Sequence, residues 1–526
     1  MKTNWDAIVV GSGINSLVCA AQLTAKGRRV LVLERAAVAG GCIRTEEATV
    51  PGFRHDLFSM SYPLFVTTPF YPQLAPKLEA HGVRMVQAEI PTGVLLPDGR
   101  SLLLRQSREA NVAAFDAAHP GDGAAHARAM AGVEEQAPLL FGLLGNEPRS
   151  FDTASLLGRT LLKQGVDQLS AFGADSLKSA RDWLEARFGS DLVHALIAPW
   201  VLHVGLGPES AASAMMARVV MFTLEAAGLP FVEGGSDRIV AGFRAIIEGG
   251  GGALLTDADV EEVTVERGRA TGVRLADSRA FTARRGVACN VTPTQLYQRL
   301  LPAEHVPPAT AERAADYRYG RACMQIHIAL SDPPAWADPE LGKVGLLHLT
   351  PGMDGVSRAV NEADRGLLPA EATIVVGQPA HADPSRCPPG TSMLWIQLQE
   401  LPRTIRGDAA GEIAVPADGR WNDEVAQAYA RRIIARITAH VPNLERATLG
   451  MRVLGPHDLE AANVNLVGGD PYSGVCSIDQ FHLFRPFTGT RNHATPVKRL
   501  FHIGASSHPG PGLGGVSGFH AASAIG

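Results

Sequence analysis

Charge is scarce in this chain of 526 residues. Asp, Glu, Lys and Arg make up 19% of it and apolar residues 46%, against roughly 25% charged in ordinary soluble proteins. That balance predicts a large core and an apolar cavity. At roughly 100–200 residues per domain, the length predicts two or more domains. The net charge is only −5, and no basic patch is long enough to argue for nucleic acid. Arginine outnumbers lysine, which reflects genomic base composition rather than function. Cysteine is sparse and scattered: Cys19, Cys42, Cys289, Cys323, Cys387 and Cys476 form no C-x-x-C pair. This argues against a metal site and a disulfide framework and points to a reducing cytoplasm. Long hydrophobic runs are missing too. The nearest are residues 195–206, which contain Pro199 and His203, and 211–228, broken by Arg218 and Glu225. Neither reaches the ~18 apolar residues of a membrane helix. There is no repeat of fixed period, no Walker loop and no Ser/His/Asp arrangement.

What is present begins at residue 6. Residues 7–10 form an apolar run suited to a buried parallel strand. Gly11 then makes a tight turn, and Gly13 lets backbone approach a pyrophosphate. A helix over residues 14–26 aims the free N–H groups of its first turn (Ile14, Asn15) and its positive dipole end at the phosphates. Gly27 ends that helix. Residues 30–33 form the next buried strand, and Glu34 follows Gly11 at close to the ~20 positions expected of an acid that binds a ribose hydroxyl. The third glycine of the G-x-G-x-x-G pattern is Ser16. Its hydroxyl is expected to push the helix slightly outward, or to bond a phosphate or the local backbone. The competing reading is an ordinary strand–turn–helix with incidental glycines. The first strand starts so near Met1 that no leader peptide is expected.

Arg35, Gly40-Gly41 and Arg44-Thr45 follow the acid closely, and bare glycines here keep backbone against a cofactor. Two more stretches belong with this one. Pro230-Phe-Val-Glu-Gly-Gly-Ser-Asp-Arg-Ile239 leads through Asp257 and Val260 to Gly268-Arg-Ala-Thr-Gly-Val273. Near the end, Leu500 to Ile503 and Gly504-Ala505 precede His508-Pro-Gly, the glycine-rich run to Gly515, and a helix starting at Val516. With these three stretches the chain resembles the phytoene-desaturase-like branch of the FAD-dependent amine-oxidase superfamily, which includes carotenoid desaturases, carotenoid isomerases and retinol saturase.

The resemblance implies non-covalent FAD, held by Gly11, Gly13, Ile14, Asn15, Ser16, Glu34, Arg35, Gly41, Arg44, Thr45, Val260, Gly504, Gly515 and Val516. It implies a backbone group at Val260 meeting adenine, and a final helix whose start faces the flavin's pyrimidine edge and stabilises negative charge there. That helix is expected to continue past Gly526. The order of motifs gives an α/β fold. A Rossmann-type FAD-binding domain is built from three segments (1–70, 229–299 and 491–526), and an inserted α+β substrate domain with a mixed sheet is built from 71–228 and 300–490. Strands are expected at 253–256, 260–266, 270–275, 323–330, 372–377, 393–399 and 500–503, helices at 124–136, 177–188, 237–247 and 425–440, and a loop tip at 117–123.

Function then divides. Hydride transfer from a small hydrophobic substrate to FAD, with carbon–carbon desaturation of a polyene or lipid-like molecule, leads by resemblance, oxygen or a quinone being the electron acceptor. Amine oxidation, redox-neutral double-bond isomerisation and a non-catalytic flavin-bound interaction protein stay open. Candidates for substrate chemistry are Tyr62, His203, Asp479, His482 and Arg485, each with a plainer reading: a loop anchor, a core histidine, an ion pair or turn cap. His55-Asp56 is either a proton relay or loop order, and His508 a flavin-side turn. Residues 200–228 form either a core helix or an apolar mouth at a membrane surface.

Overall fold

The computed structural model describes residues 3–526. Its first sheet is centred on Asn4–Val10, which pairs in parallel with Val30–Leu33 and with Ala280–Asn290. Ala253–Leu255 adds beyond Val30–Leu33, and Leu500–Ile503 pairs with residues 287–290. Five parallel strands thus come from three distant stretches of chain. A hairpin of Val260–Glu266 and Arg269–Leu275 extends the sheet antiparallel to the start of Ala280–Asn290.

The strands are apolar because both faces are covered. Ala7 and Val9 pack with the helices Ile14–Ala25, Asp237–Gly249 and Val516–Ile525, while Ile8 and Val10 face a second core with Val263, Val273 and Leu300. The closing helix crosses the opening one at Gly518, where a Cβ would fall 1.8 Å from the Asn15 carbonyl oxygen. Any side chain there would separate the two helices.

A second, mixed sheet runs in the order Thr448–Leu454, Ala322–Leu330, Ser392–Leu401, Ile374–Gly377, Val344–Leu349, Ile90–Leu95 and Ser101–Leu104. All neighbours are antiparallel except Val344–Leu349 against Ile90–Leu95. Helix Asp423–Thr438 covers one face through Val425, Tyr429 and Ile433. Helices between residues 180 and 227 pack near the other, with Val94, Leu346 and Trp395. The architecture is α/β with mixed sheets.

Several local expectations change. Helix 124–136 is longer, Asp122–Gly145, so the loop before it ends at Gly121. The helix expected over 177–188 is short, Ala180–Glu185, because Ser179 caps it by accepting from the Asp182 N–H. A long helical stretch, Phe151–Ser176, was not anticipated; it breaks at Gly165, which adopts φ 82°. Leu74, Leu78 and Val83 pack in the first-sheet core with Ile239 and Phe243, although they follow residue 70.

Candidate functional site

One continuous cavity reaches from the first sheet to the second. Its wall begins at Gly11, Ser12, Gly13, Ile14 and Asn15, continues past Glu34, Arg35, Gly41, Arg44 and Val260, and ends among Trp200, His203, Val219, Leu346, Trp395 and Tyr472. The dinucleotide end follows from the opening strand–turn–helix. Gly13 is the N-cap of helix Ile14–Ala25 and supplies no side-chain cap. The first-turn N–H groups therefore remain for an anion in the cavity. Gly41 sits against Gly13: a Cβ on Gly41 would lie 3.3 Å from the Gly13 Cα, at a φ of +60°. Bare backbone on both sides leaves a cradle that a side chain would fill, and this fits a pyrophosphate.

Glu34 is buried, and its carboxylate is already engaged. Oε2 accepts from the Ser12 N–H (3.0 Å) and hydroxyl (2.6 Å), and Oε1 accepts from the Ala36 N–H (2.9 Å). At Val260 the carbonyl accepts from Arg299 Nη2 at 3.2 Å, and the same Nη2 bonds Asp259. Arg299 lies in a π-helical turn, Leu296–Leu300, and lines the wall with Gln295. The Ser16 hydroxyl bonds neither phosphate-facing backbone nor its own helix. It accepts from Asn290 Nδ2 at 2.9 Å, and Asn290 lines the cavity.

Five of the expected cofactor residues stand off the wall. Thr45 donates to Asp56 Oδ1 and accepts from the Asp237 N–H. The Gly504 N–H donates to Ser517 Oγ. Gly515 caps the closing helix and packs on Val18, Val516 begins that helix, and Ser16 lies behind Asn290. Ala505, Ser506 and residues 510–513 line the cavity instead.

At the other end, His203 Nε2 lies 3.0 Å from His348 Nε2. The His348 ring is buried and that of His203 half-buried, and loss of hydration pushes the His203 imidazolium down to about 3 and that of His348 well below its ordinary value. Both are therefore neutral near pH 7. One proton lies between the facing nitrogens, and Nδ1 of His203 is an acceptor when His203 supplies that proton and a donor when His348 does. Trp200 packs on both rings, with centroids at 4.5 and 5.0 Å. The Tyr472 hydroxyl donates to the Leu202 carbonyl, which anchors the loop that carries His203.

Four substrate-side candidates stand off the cavity wall. Tyr62 is buried off the wall and donates to the Ser59 carbonyl at 3.1 Å. Asp479 is exposed and pairs with Arg318 at 2.5 Å. Arg485 is buried and donates to the carbonyls of Ala505 (2.6 Å) and Tyr472 (2.7 Å), so it organises loops rather than meeting a ligand. His482 is half-buried beside Phe481, with ring centroids 4.1 Å apart, and also stands off the wall. Asp56 is an ion-pair partner of Arg386, not a relay. His508 is buried away from the cavity. Residues 200–228 are largely core: Val201, Val204, Ala217, Met221 and Leu224 are buried. Sequence reasoning missed Ser12, Asn290, Arg299, His348 and Trp395. Only Ser12 carried a signal, its place between two motif glycines.

A family model, "Flavin containing amine oxidoreductase", matches residues 17–513. Pyridine nucleotide-disulfide oxidoreductase domain-containing protein 2 of Mus musculus is 27% identical over 100% of this chain and 94% of its own length. Phytoene desaturase (neurosporene-forming) of Cereibacter sphaeroides is also 27% identical, over 97% of this chain and 92% of its own. Among solved structures, cyclohexylamine oxidase from Brevibacterium oxydans superposes with a TM-score of 0.60 at 17% identity, covering 99% of this chain and 98% of that one. That likeness shows the fold.

Proposed function

The chain belongs to the flavin containing amine oxidoreductase family, with FAD as its cofactor, and on that premise we propose that it dehydrogenates a carbon–carbon bond of a neutral, hydrophobic molecule of polyene or lipid-like character. The observation that carries this reading is the division of charge on the cavity wall. The charged lining side chains, Glu34, Arg35, Arg44, Asp259 and Arg299, all belong to segments that follow strands of the first sheet. Among the described residues, the wall around Trp200, His203, Val219, Leu346 and Trp395 has no carboxylate and no cationic side chain. A cationic amine would lose its hydration there without a partner, at a cost of several kcal/mol. A neutral hydrocarbon loses nothing. The phytoene desaturase relative supports carbon–carbon chemistry in the same direction.

Bound FAD supplies a two-electron acceptor for a hydride. The first-turn N–H groups at Gly13–Asn15 would hold the pyrophosphate, and Glu34 the ribose. Trp200, Leu346 and Trp395 exclude water from the substrate body. With its own proton on Nε2 donated to His348, His203 offers Nδ1 to the proton that leaves the carbon next to the oxidised one. We place the protein in a reducing cytoplasm, consistent with six free cysteines, with oxygen or a quinone as final electron acceptor. No described helix is long and apolar enough to cross a membrane. A peripheral bilayer contact is part of the proposal and draws support from exposed Phe151, Leu162 and Val166.

The test is anaerobic mixing of the holoprotein with polyenes, unsaturated lipids and amines while flavin absorbance is followed. Bleaching by a polyene or unsaturated lipid is the expected result. Bleaching by amines alone overturns it in favour of amine oxidation. A changed double-bond geometry without net bleaching overturns it in favour of isomerisation.

A further inference from the structure

The residue between the two glycines of the opening turn is the hub of a hydrogen-bond relay. The Gly40 N–H donates to Ser12 Oγ at 2.8 Å, and the Ser12 hydroxyl passes its own proton on to Glu34 Oε2 at 2.6 Å. The Ser12 N–H reaches the same oxygen at 3.0 Å. Ser12 is 1% exposed and Glu34 8%, so water competes for neither.

A carboxylate offers about four acceptor sites, two on each oxygen. Ser12 takes both on Oε2. Ala36 takes one on Oε1. A single site remains, on a residue that lines the cavity. We propose that Ser12 is a positioning residue that locks the Glu34 carboxylate so that it grips one, and only one, of the two adenosine ribose hydroxyls of the dinucleotide. The same hydroxyl tethers Gly40, and with it Gly41, whose backbone packs against Gly13. Ser12 thus sets the width of the pyrophosphate cradle as well as the orientation of the ribose acceptor. The inference rests on FAD being the ligand.

The experiment measures affinity, not turnover. Apoprotein is titrated by flavin fluorescence with FAD and with two analogues, one lacking the 2′-hydroxyl and one the 3′-hydroxyl of the adenosine ribose. In the unaltered protein, one analogue should bind like FAD and the other about 10–100-fold more weakly, the range set by one charge-assisted hydrogen bond. Ser12→Ala should weaken FAD about tenfold and blunt the difference between the analogues. Combined with Glu34→Gln it should cost clearly less than the product of the two single losses, because most of the Ser12 effect runs through that carboxylate and only the tether to Gly40 is left to lose. Equal losses with both analogues, no loss with either, or losses that multiply in the double variant would overturn the proposal. If Ser12→Ala does not fold, the analogue series on the unaltered protein still decides. Apoprotein that binds no FAD at all overturns the flavin assignment together with this inference, and is recognisable as such.

Discussion

Arg386 and Asp56 form an ion pair with both side chains only 1% exposed. It joins two distant parts of the chain. Arg386 also donates to the Arg54 carbonyl at 3.0 Å and faces Asp383 at 3.2 Å. Asp383 in turn accepts from the Gly234 N–H at 2.6 Å, and Asp56 accepts from the Ser236 N–H at 3.0 Å. Residues 54–56, 234–236 and 383–386 are thereby held on one guanidinium. Removing it strands two buried carboxylates. Arg386→Ala should cost about 3–5 kcal/mol, read as a lowered urea midpoint. The pair Asp56→Asn with Arg386→Met should recover part of the loss. An unchanged midpoint in Arg386→Ala would mean that water reaches the site.

Buried histidines set the acid limit. Burial pushes His203 and His508 down to about 3, and His327, His482 and His502 to about 4. These folded-state values lie below the unfolded value of ~6.5. Between the two, the unfolded chain binds more protons, so stability falls as pH falls. It is complete above pH ~6.5 and drains away toward pH 3–4. With even two such histidines the slope is about 3 kcal/mol per pH unit. The urea midpoint should therefore drop clearly from pH 7 to pH 5, a window above the usual carboxylate range. A flat profile would show that these rings are solvated in the folded state.

FAD is expected to be held without a covalent bond. Acid precipitation should release the yellow colour into the supernatant; colour that stays with the pellet contradicts this. Glu34→Ala removes a charge-assisted acceptor worth roughly 1.5–3 kcal/mol, so FAD should bind about 10–100-fold more weakly. Equilibrium dialysis of the apoprotein measures it, and an unchanged Kd would mean that the ribose is held elsewhere.

The helical stretch Phe151–Ser176 exposes Phe151 at 85%, Leu162 at 87% and Val166 at 65%. Every residue from 161 to 168 is exposed. Its neighbour Asp122–Gly145 meets the cavity-lining helix Ser213–Ala227 where Phe141 packs at 6.3 Å on Phe222. A net charge of −5 gives anionic lipid no pull. Co-sedimentation with neutral phosphatidylcholine vesicles should be modest and unaffected by salt, and Leu162→Glu with Val166→Glu should abolish it. Binding that vanishes at high salt would indicate a charged surface instead.

The elements legible in the sequence are those whose signal is local. The turn at Gly11, the uncapped helix after it and the strands Val260–Glu266 and Leu500–Ile503 stand where hydrophobic pattern and glycine placed them. Phe151–Ser176 was invisible because Gly158, Gly165 and Gly173 interrupt its pattern and its middle has no buried face to advertise. Asp479 and Arg485 read as a pair because they are near in sequence, yet one side chain turns to solvent and the other inward to the Ala505 carbonyl. His203 was readable as a candidate, but its partner was not: His348 arrives on a strand of the second sheet, and nothing local marks it.

The first sheet has a consequence for biosynthesis. The strand Leu500–Ile503 completes it by pairing with residues 287–290, and the closing helix seats on the opening one with Gly518 against the Asn15 carbonyl. At 5–20 residues per second, roughly 25–100 s separate emergence of the first strand from that of the last. The apolar flank of helix Ile14–Ala25 stands uncovered through that interval, and the edge at residues 287–290 through its last part, about 10–40 s. Parallel, long-range pairing of this kind is slow and exposed to aggregation. The cavity wall takes in both Gly11–Asn15 and residues 510–513, so the FAD cradle is complete only on a nearly finished chain, and cofactor binding follows the pairing of the last strand rather than guiding it.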